Sequence, residues 1–207
     1  MRGRLRFSLL VVLVAVGIFR GAAAVGAEEV KGPGEIVSLG SGGNQSVVEE
    51  VKGASEIINT YVNFLKEVEA SNPAVWNYLS QSSQRKIAEQ VTNFFEKQNP
   101  LTAEERENII QGLLDNLGDP DAAVTREFWG NFSKVFMKNT VDGIVALGNE
   151  AEAVKRCLHD PSCYRVKAQG DSHLLFLVVV NEDGREQIMD SPLATMVNEA
   201  GNWKIQI

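Results

Sequence analysis

Apolar positions along the chain fall into two regimes, one helical and one extended. From Gln45 they recur at three- and four-residue steps: Val47, Val51, Ile58, Tyr61, Leu65 and Val68, with Ala54 filling the gap. Glu49, Glu50, Lys52, Asn59, Asn63 and Lys66 take the other side, so the stretch predicts one long amphipathic helix. Ser71-Asn72-Pro73 ends it and starts a short piece, Pro73 to Leu79, because proline is tolerated in a first turn and Ser or Asn caps one. Ser80 to Ser83 reads as a polar hinge, and Ile87, Val91, Phe94 and Phe95 mark the next helix. Thr102-Ala103-Glu104-Glu105 matches a capping box, ahead of a stripe of Ile109, Ile110, Leu113, Leu114 and Leu117. Asp119-Pro120 restarts the chain before an aromatic helix carrying Phe128, Trp129, Phe132, Val135 and Phe136.

After Lys138 the period shortens. Thr140 to Leu147 reads as a strand, and Ala151 to Leu158 and Cys163 to Ala168 as two short strands around His159-Asp160-Pro161-Ser162. Leu174 to Val180 is an unbroken apolar run, which predicts a central strand buried on both faces. Asn181-Glu182-Asp183-Gly184 is a hairpin turn. Glu186 to Val197 is extended but contains Pro192, which demands an edge or a bulge. Trp203, Ile205 and Ile207 alternate with Lys204 and Gln206 in a last strand. Helices first and a meander last is the α+β layout: N-terminal amphipathic helices packed on a curved C-terminal antiparallel sheet.

The extreme N-terminus has a different logic. Arg2, Arg4 and Arg6 precede an apolar run from Phe7 to Phe19, and Val25-Gly26-Ala27 fits a small-x-small cleavage site. The run is too short to span a bilayer as a helix, so residues 1–27 read as a signal peptide and the chain as exported, periplasmic or secreted, and not membrane-spanning once processed. Residues 28–44, rich in Gly and acid, read as a flexible linker, which leaves 45–207 as a single domain.

Charge narrows the partners. The chain carries 20 basic and 27 acidic residues; the leader removes four Arg and no acid, leaving a net charge of −11. A domain this acidic repels nucleic acid and anionic headgroups. The only cysteines, Cys157 and Cys163, lie in the exported part, where so close a pair predicts a disulfide. Their spacing and the lack of a second His/Cys cluster argue against a metal, and no phosphate-binding or dinucleotide motif points to a cofactor.

The segment Val75-Trp76-Asn77-Tyr78-Leu79-Ser80, with Ser83 and Arg85 after it, and the terminal Gly201-Asn202-Trp203-Lys204-Ile205 strand carry a resemblance. Over residues 45–207 the layout resembles the NTF2-like superfamily (the cystatin-like α+β cone), and within it the exported bacterial domains of unknown function. The resemblance implies a curved sheet wrapped around helices, with a pocket at the wide end. Some members are isomerases or dehydratases, and many only bind ligands or partners. The layout is also similar to exported phospholipid carriers of the MlaC type, although those continue with helix beyond the Trp-containing strand.

Candidate chemistry is sparse. Asp142 and Asp190 stand among apolar neighbours, where a raised pKa would suit an acid or base, with Tyr164 or Tyr78 as hydroxyl partner. His173 opens the apolar strand and is the better placed of the two histidines, His159 lying in the loop between the cysteines. Trp76, Phe128, Trp129, Phe132, Phe136 and Phe176 are candidates to line an apolar site between the aromatic helix and the Leu174–Val180 strand. Core packing explains the same aromatics, and turn capping explains the aspartates. The expectation is a non-catalytic module that binds a small apolar ligand or an envelope protein. An isomerase or dehydratase using Asp142 or Asp190, or an envelope lipid carrier, stays open as an alternative.

Overall fold

The computed structural model describes residues 51, 53–184 and 186–207. The expected signal peptide, the linker and residues 45–50 lie outside the described residues.

Helix α1, Ala54–Glu69, buries Ile57, Tyr61, Val62, Phe64, Leu65 and Val68 along one stripe. The expected helix from Val47 to Val68 is corrected at its start: Gly53 has φ +84°, a left-handed conformation that glycine tolerates and a continuing helix does not. Ser71 turns the chain at φ 54°. Asn72 then accepts from the Ala74 amide at 3.0 Å and caps a 3-10 helix, Pro73–Tyr78. The expected polar hinge is instead a buried knot. Ser80 caps helix α2, Gln81–Glu96, by accepting from the Ser83 amide, while Ser83 Oγ accepts from the Ile207 amide at 2.9 Å. Leu79 also pairs in parallel with Ile205, so α2 starts from the end of the last strand.

Helix α3, Ala103–Asn116, has both halves of the Thr102/Glu105 capping box, and ion pairs from Arg85 to Glu107 and from Arg106 to Glu96 lie between it and α2. Helix α4 runs from Ala123 to Val145. It absorbs most of the Thr140–Leu147 stretch expected as a strand, because Val141, Ile144 and Val145 keep a three- and four-residue step. Helix α5, Ala151–His159, replaces the other expected strand. Ala153, Val154, Cys157 and Leu158 are its buried face, and Lys155 and Arg156 lie outside.

A 3-10 turn, Pro161–Cys163, leads into the sheet. Its strands are β1 (Tyr164–Gln169), β2 (Ser172–Val180), β3 (Glu186–Ile188), β4 (Ala194–Glu199) and β5 (Asn202–Gln206). The pairing is antiparallel in the order β1–β2–β4–β5, with β3 beside the far end of β2. Thus β3 and β4 run along the same edge of β2, and Asp190-Ser191-Pro192 bulges out between them, flanked by bonds from Met189 N to Leu177 O and from Leu193 N to Leu175 O. Pro192, which has no N–H, sits where the ladder is broken, as expected. The sheet is curved and open, with helices packed against it, so the α+β architecture stands. On β2 the burial is one-sided along most of its length: Leu175, Leu177 and Val179 are buried, whereas Leu174, Phe176 and Val180 are half-buried and Val178 is covered.

Candidate functional site

Aromatic rings fill the interior between α1, α4 and the first 3-10 helix. Trp76 meets Trp129 edge-on at 6.1 Å, and Trp129 meets Phe128 at 4.9 Å and Phe132 at 5.0 Å. Phe132 stacks on Phe136 at 5.6 Å, Phe136 meets Phe64, and Tyr61 continues the chain of rings to Tyr164. Trp76, Phe128, Trp129 and Phe132 are buried against one another. Each such side chain contributes about 1.5–3 kcal/mol by leaving water. Four of the six expected ligand-lining residues are therefore core, and Phe136 is half-buried at the margin. Phe176 is not with them. It alternates with Leu175 and Leu177, pairs with the exposed Arg165, and so lies on the opposite face of the sheet.

The four candidate catalytic residues are dispersed. Asp142 is exposed on α4 and pairs with Lys138 one turn earlier. Asp190 is exposed in the bulge. Neither carboxylate has the apolar surroundings that its sequence neighbours suggest: both are exposed, and beside Asp190 the side chain of Ile188 is itself exposed. Tyr164 is buried, and its hydroxyl donates to the Leu158 carbonyl at 2.6 Å; burial holds its pKa far above the ordinary phenol value. His173 packs edge-on against Trp203 at 4.8 Å, and its Nδ1 is buried without a partner, so no carboxylate orients the ring through that nitrogen. Tyr164 pairs with Leu177 and His173 with Ala168, which separates the two by about 13 Å along β2. His159 binds Glu69 at 3.0 Å and ties the ends of α5 and α1 together.

Cys157 and Cys163 face each other across the end of α5. Both are buried, with sulfurs 2.8 Å apart and no bond between them. Burial, then the hydrogen bond to Cys157, pushes the Cys163 thiol up to about 12.

Besides His173 Nδ1, three buried side-chain oxygens among the described residues lack a donor, on Gln90, Asn149 and Asn181, and the first of them lies on a helix. Ser83, Ile87, Gln90 and Phe94 share one stripe of α2, at helical spacing. At one end of this stripe Ser83 holds the Ile207 amide. Further along, Gln90 Oε1 is buried and has no hydrogen-bond donor. Phe94, Ile207 and Leu193 are half-buried against the core, and the register that pairs Thr195 with Gln206 brings Leu193 and Ile207 to the same end of the sheet. The sequence reading missed Gln90 because a glutamine on an amphipathic helix looks like surface. Its three-residue step from Ile87 is the only signal in the sequence.

Comparison with protein-family models, curated proteins and solved structures gives no match for this chain. No helix among the described residues is long and apolar enough to cross a membrane.

Proposed function

We propose that this protein is an exported, non-catalytic binding module on an NTF2-like cone, and that its ligand is a small apolar molecule bearing one hydrogen-bond donor. The ligand sits at the corner formed by the α2 stripe, Ile207 and Leu193, with its donor on Gln90 Oε1. The observation that carries this reading is the orphaned Gln90 oxygen, one helical turn from the half-buried Phe94 on the same stripe of α2. A buried acceptor left unpaired costs about 1–3 kcal/mol, which a ligand hydroxyl or amide N–H would recover. An amphiphile carried through the envelope, as in the MlaC-type reading, fits the same description. An isomerase role finds less support, because Asp142 and Asp190 both lie in water. In an oxidising compartment the Cys157 and Cys163 sulfurs are close enough to join as a disulfide.

Organic extraction of the purified protein followed by mass spectrometry tests the reading. The expected result is a stoichiometric amphiphile from the parent and much less from Gln90→Leu, with thermal unfolding of both proteins checked in parallel. An empty extract, together with no displacement of a bound fluorescent fatty acid or fatty alcohol probe, would refute it.

A further inference from the structure

Cys157 and Cys163 are nucleophiles that the Gln90 corner does not use. Both are buried, and their sulfurs face each other 2.8 Å apart with no bond between them. The residues that follow them are joined as well, since the Tyr164 hydroxyl donates to the Leu158 carbonyl at 2.6 Å inside the fold. The joint between α5 and β1 is thus aligned before any covalent bond exists. The two sulfurs are held unequally. Cys157 belongs to the buried face of α5, whose end is fixed to α1 by His159 on Glu69 and to β2 by Arg156 on the Val180 carbonyl. Cys163 ends the three-residue 3-10 turn, and Asp160, Pro161 and Ser162 before it are exposed. That turn rests on surface bonds. Asp160 Oδ1 accepts from the Ser162 amide at 2.9 Å and from its hydroxyl at 2.7 Å, Arg165 donates to the Ser162 carbonyl at 2.8 Å, and the Cys163 amide donates to Asp160 O at 3.0 Å.

Thiol–disulfide exchange needs a thiolate with an open path to the attacked sulfur. In the closed joint neither thiol has the path, and burial keeps the Cys163 thiol protonated. Lifting the exposed turn delivers Cys163 to solvent, whereas delivering Cys157 requires unwinding the end of α5 from two other elements, a costlier opening. We propose that Cys157 and Cys163 form a redox clasp on the α5–β1 joint, in which Cys163 meets an external low-molecular-weight disulfide and Cys157 resolves the product. The Cys163 thiolate attacks one sulfur of that disulfide, forming a mixed disulfide and releasing one thiolate. The Cys157 thiolate then attacks the Cys163 sulfur, and the second thiolate leaves. Two cysteine thiols become one disulfide, the oxidant is reduced to two thiols, and the two cysteine protons end on them. Once closed, the bond lies where both sulfurs lie now and is shielded from soluble reductants. The order of attack comes from the fold alone and does not depend on the apolar-ligand reading.

Reaction of the reduced, folded chain with oxidised glutathione, followed by acid quenching and mass spectrometry, tests it. The parent should end as an intramolecular disulfide with no free thiol, and that disulfide should resist dithiothreitol in the fold but not in urea. Cys157→Ala should accumulate the glutathione adduct at Cys163, whereas Cys163→Ala should react about tenfold more slowly or less. The difference should vanish in urea, where no fold separates the two sites. Asp160→Ala frees the turn and leaves α5 held, so in the Cys157→Ala background it should speed adduct formation about tenfold. Circular dichroism melts confirm that each variant is folded. Two free thiols in the parent after prolonged oxidation would overturn the proposal. So would folded Cys163→Ala reacting as fast as folded Cys157→Ala, a difference that persists in urea, or an oxidised parent reduced as readily in the fold as in urea.

Discussion

Replacing Gly118 with alanine isolates the fit of the α3–α4 loop against Trp76. A Cβ at Gly118 would stand 2.8 Å from Trp76 Cδ1, 3.4 Å from Cγ and 3.6 Å from Cβ. Carbon atoms pack well at about 3.5–4.0 Å, so the ring or the loop must yield by roughly 0.7 Å or more. Neither is free to do so. Trp76 is buried with its ring against Trp129, and Trp129 Nε1 donates to Leu117 O at 2.8 Å, one residue before Gly118. Ring and loop are therefore held to the same neighbour. Overpacking of this kind costs about 1–3 kcal/mol. The smaller unfolded-state entropy of alanine returns about 0.4–1 kcal/mol, since Gly118 lies outside the left-handed region. The net expectation is a loss of about 1–2 kcal/mol, or roughly 2–8 °C in melting temperature for a chain of this size. Gly112→Ala is the control. It lies within α3 with nothing within 4 Å of the added methyl, and it should gain about 0.5–1 kcal/mol. Thermal and urea unfolding followed by circular dichroism measure both. A Gly118→Ala protein as stable as the parent would refute the reasoning. So would an equal penalty in a Trp76→Leu background, where the ring is gone.

Thr102→Ala removes half of the α3 capping box and should cost about 1 kcal/mol in urea unfolding, whereas Thr102→Asp should retain most of that. Tyr164→Phe leaves the buried Leu158 carbonyl without its donor and should cost about 1–3 kcal/mol; an unchanged midpoint would mean that water replaces the hydroxyl. Asp142→Asn should change stability by less than about 0.5 kcal/mol, because the ion pair with Lys138 is exposed. Alkaline stability should depend on the cysteines. With both reduced, Cys163 has a raised pKa in the fold, so the unfolded chain ionises first and stability, intact below pH 9.0, falls as pH rises toward about 12. Oxidation removes that slope and leaves the decline from Tyr61 and Tyr164, whose raised pKa values act above pH 10.0. Parallel melting curves of the oxidised and reduced protein from neutral pH to pH 11 would show the difference, and matching slopes would contradict it.

Local chemistry made several elements legible. The Thr102 capping box, the Asn72-Pro73 start, the turn at Asn181–Gly184 and the break at Pro192 each follow from which backbone groups a residue can cap, bend or fail to bond. The errors cluster where short apolar runs fit two periods. Ala153, Val154, Cys157 and Leu158 satisfy a helix, yet Ala151 to Leu158 reads as a strand when the eye follows only its apolar density. Thr140 to Val145 joined α4 for a related reason: extending an existing helix adds one hydrogen bond per residue without a new nucleus. The candidate site was the least legible part. Exposure of Asp142 and Asp190 depends on which side of a helix or bulge faces water, and neighbouring letters do not carry that.

By itself the sequence determined the α+β class, the caps and turns at Asn72, Thr102, Asn181 and Pro192, and the acidic character of the chain, because these depend on periodicity, caps and charge, all properties of neighbouring residues. Only the tertiary structure decided which rings close on one another, that Phe176 faces away from them, that Cys157 meets Cys163 without a bond, and that Gln90, Asn149 and Asn181 end with buried oxygens and no donor. Those outcomes turn on contacts between residues far apart along the chain, where hydrogen-bond satisfaction is settled by what packs alongside and not by what comes next in sequence.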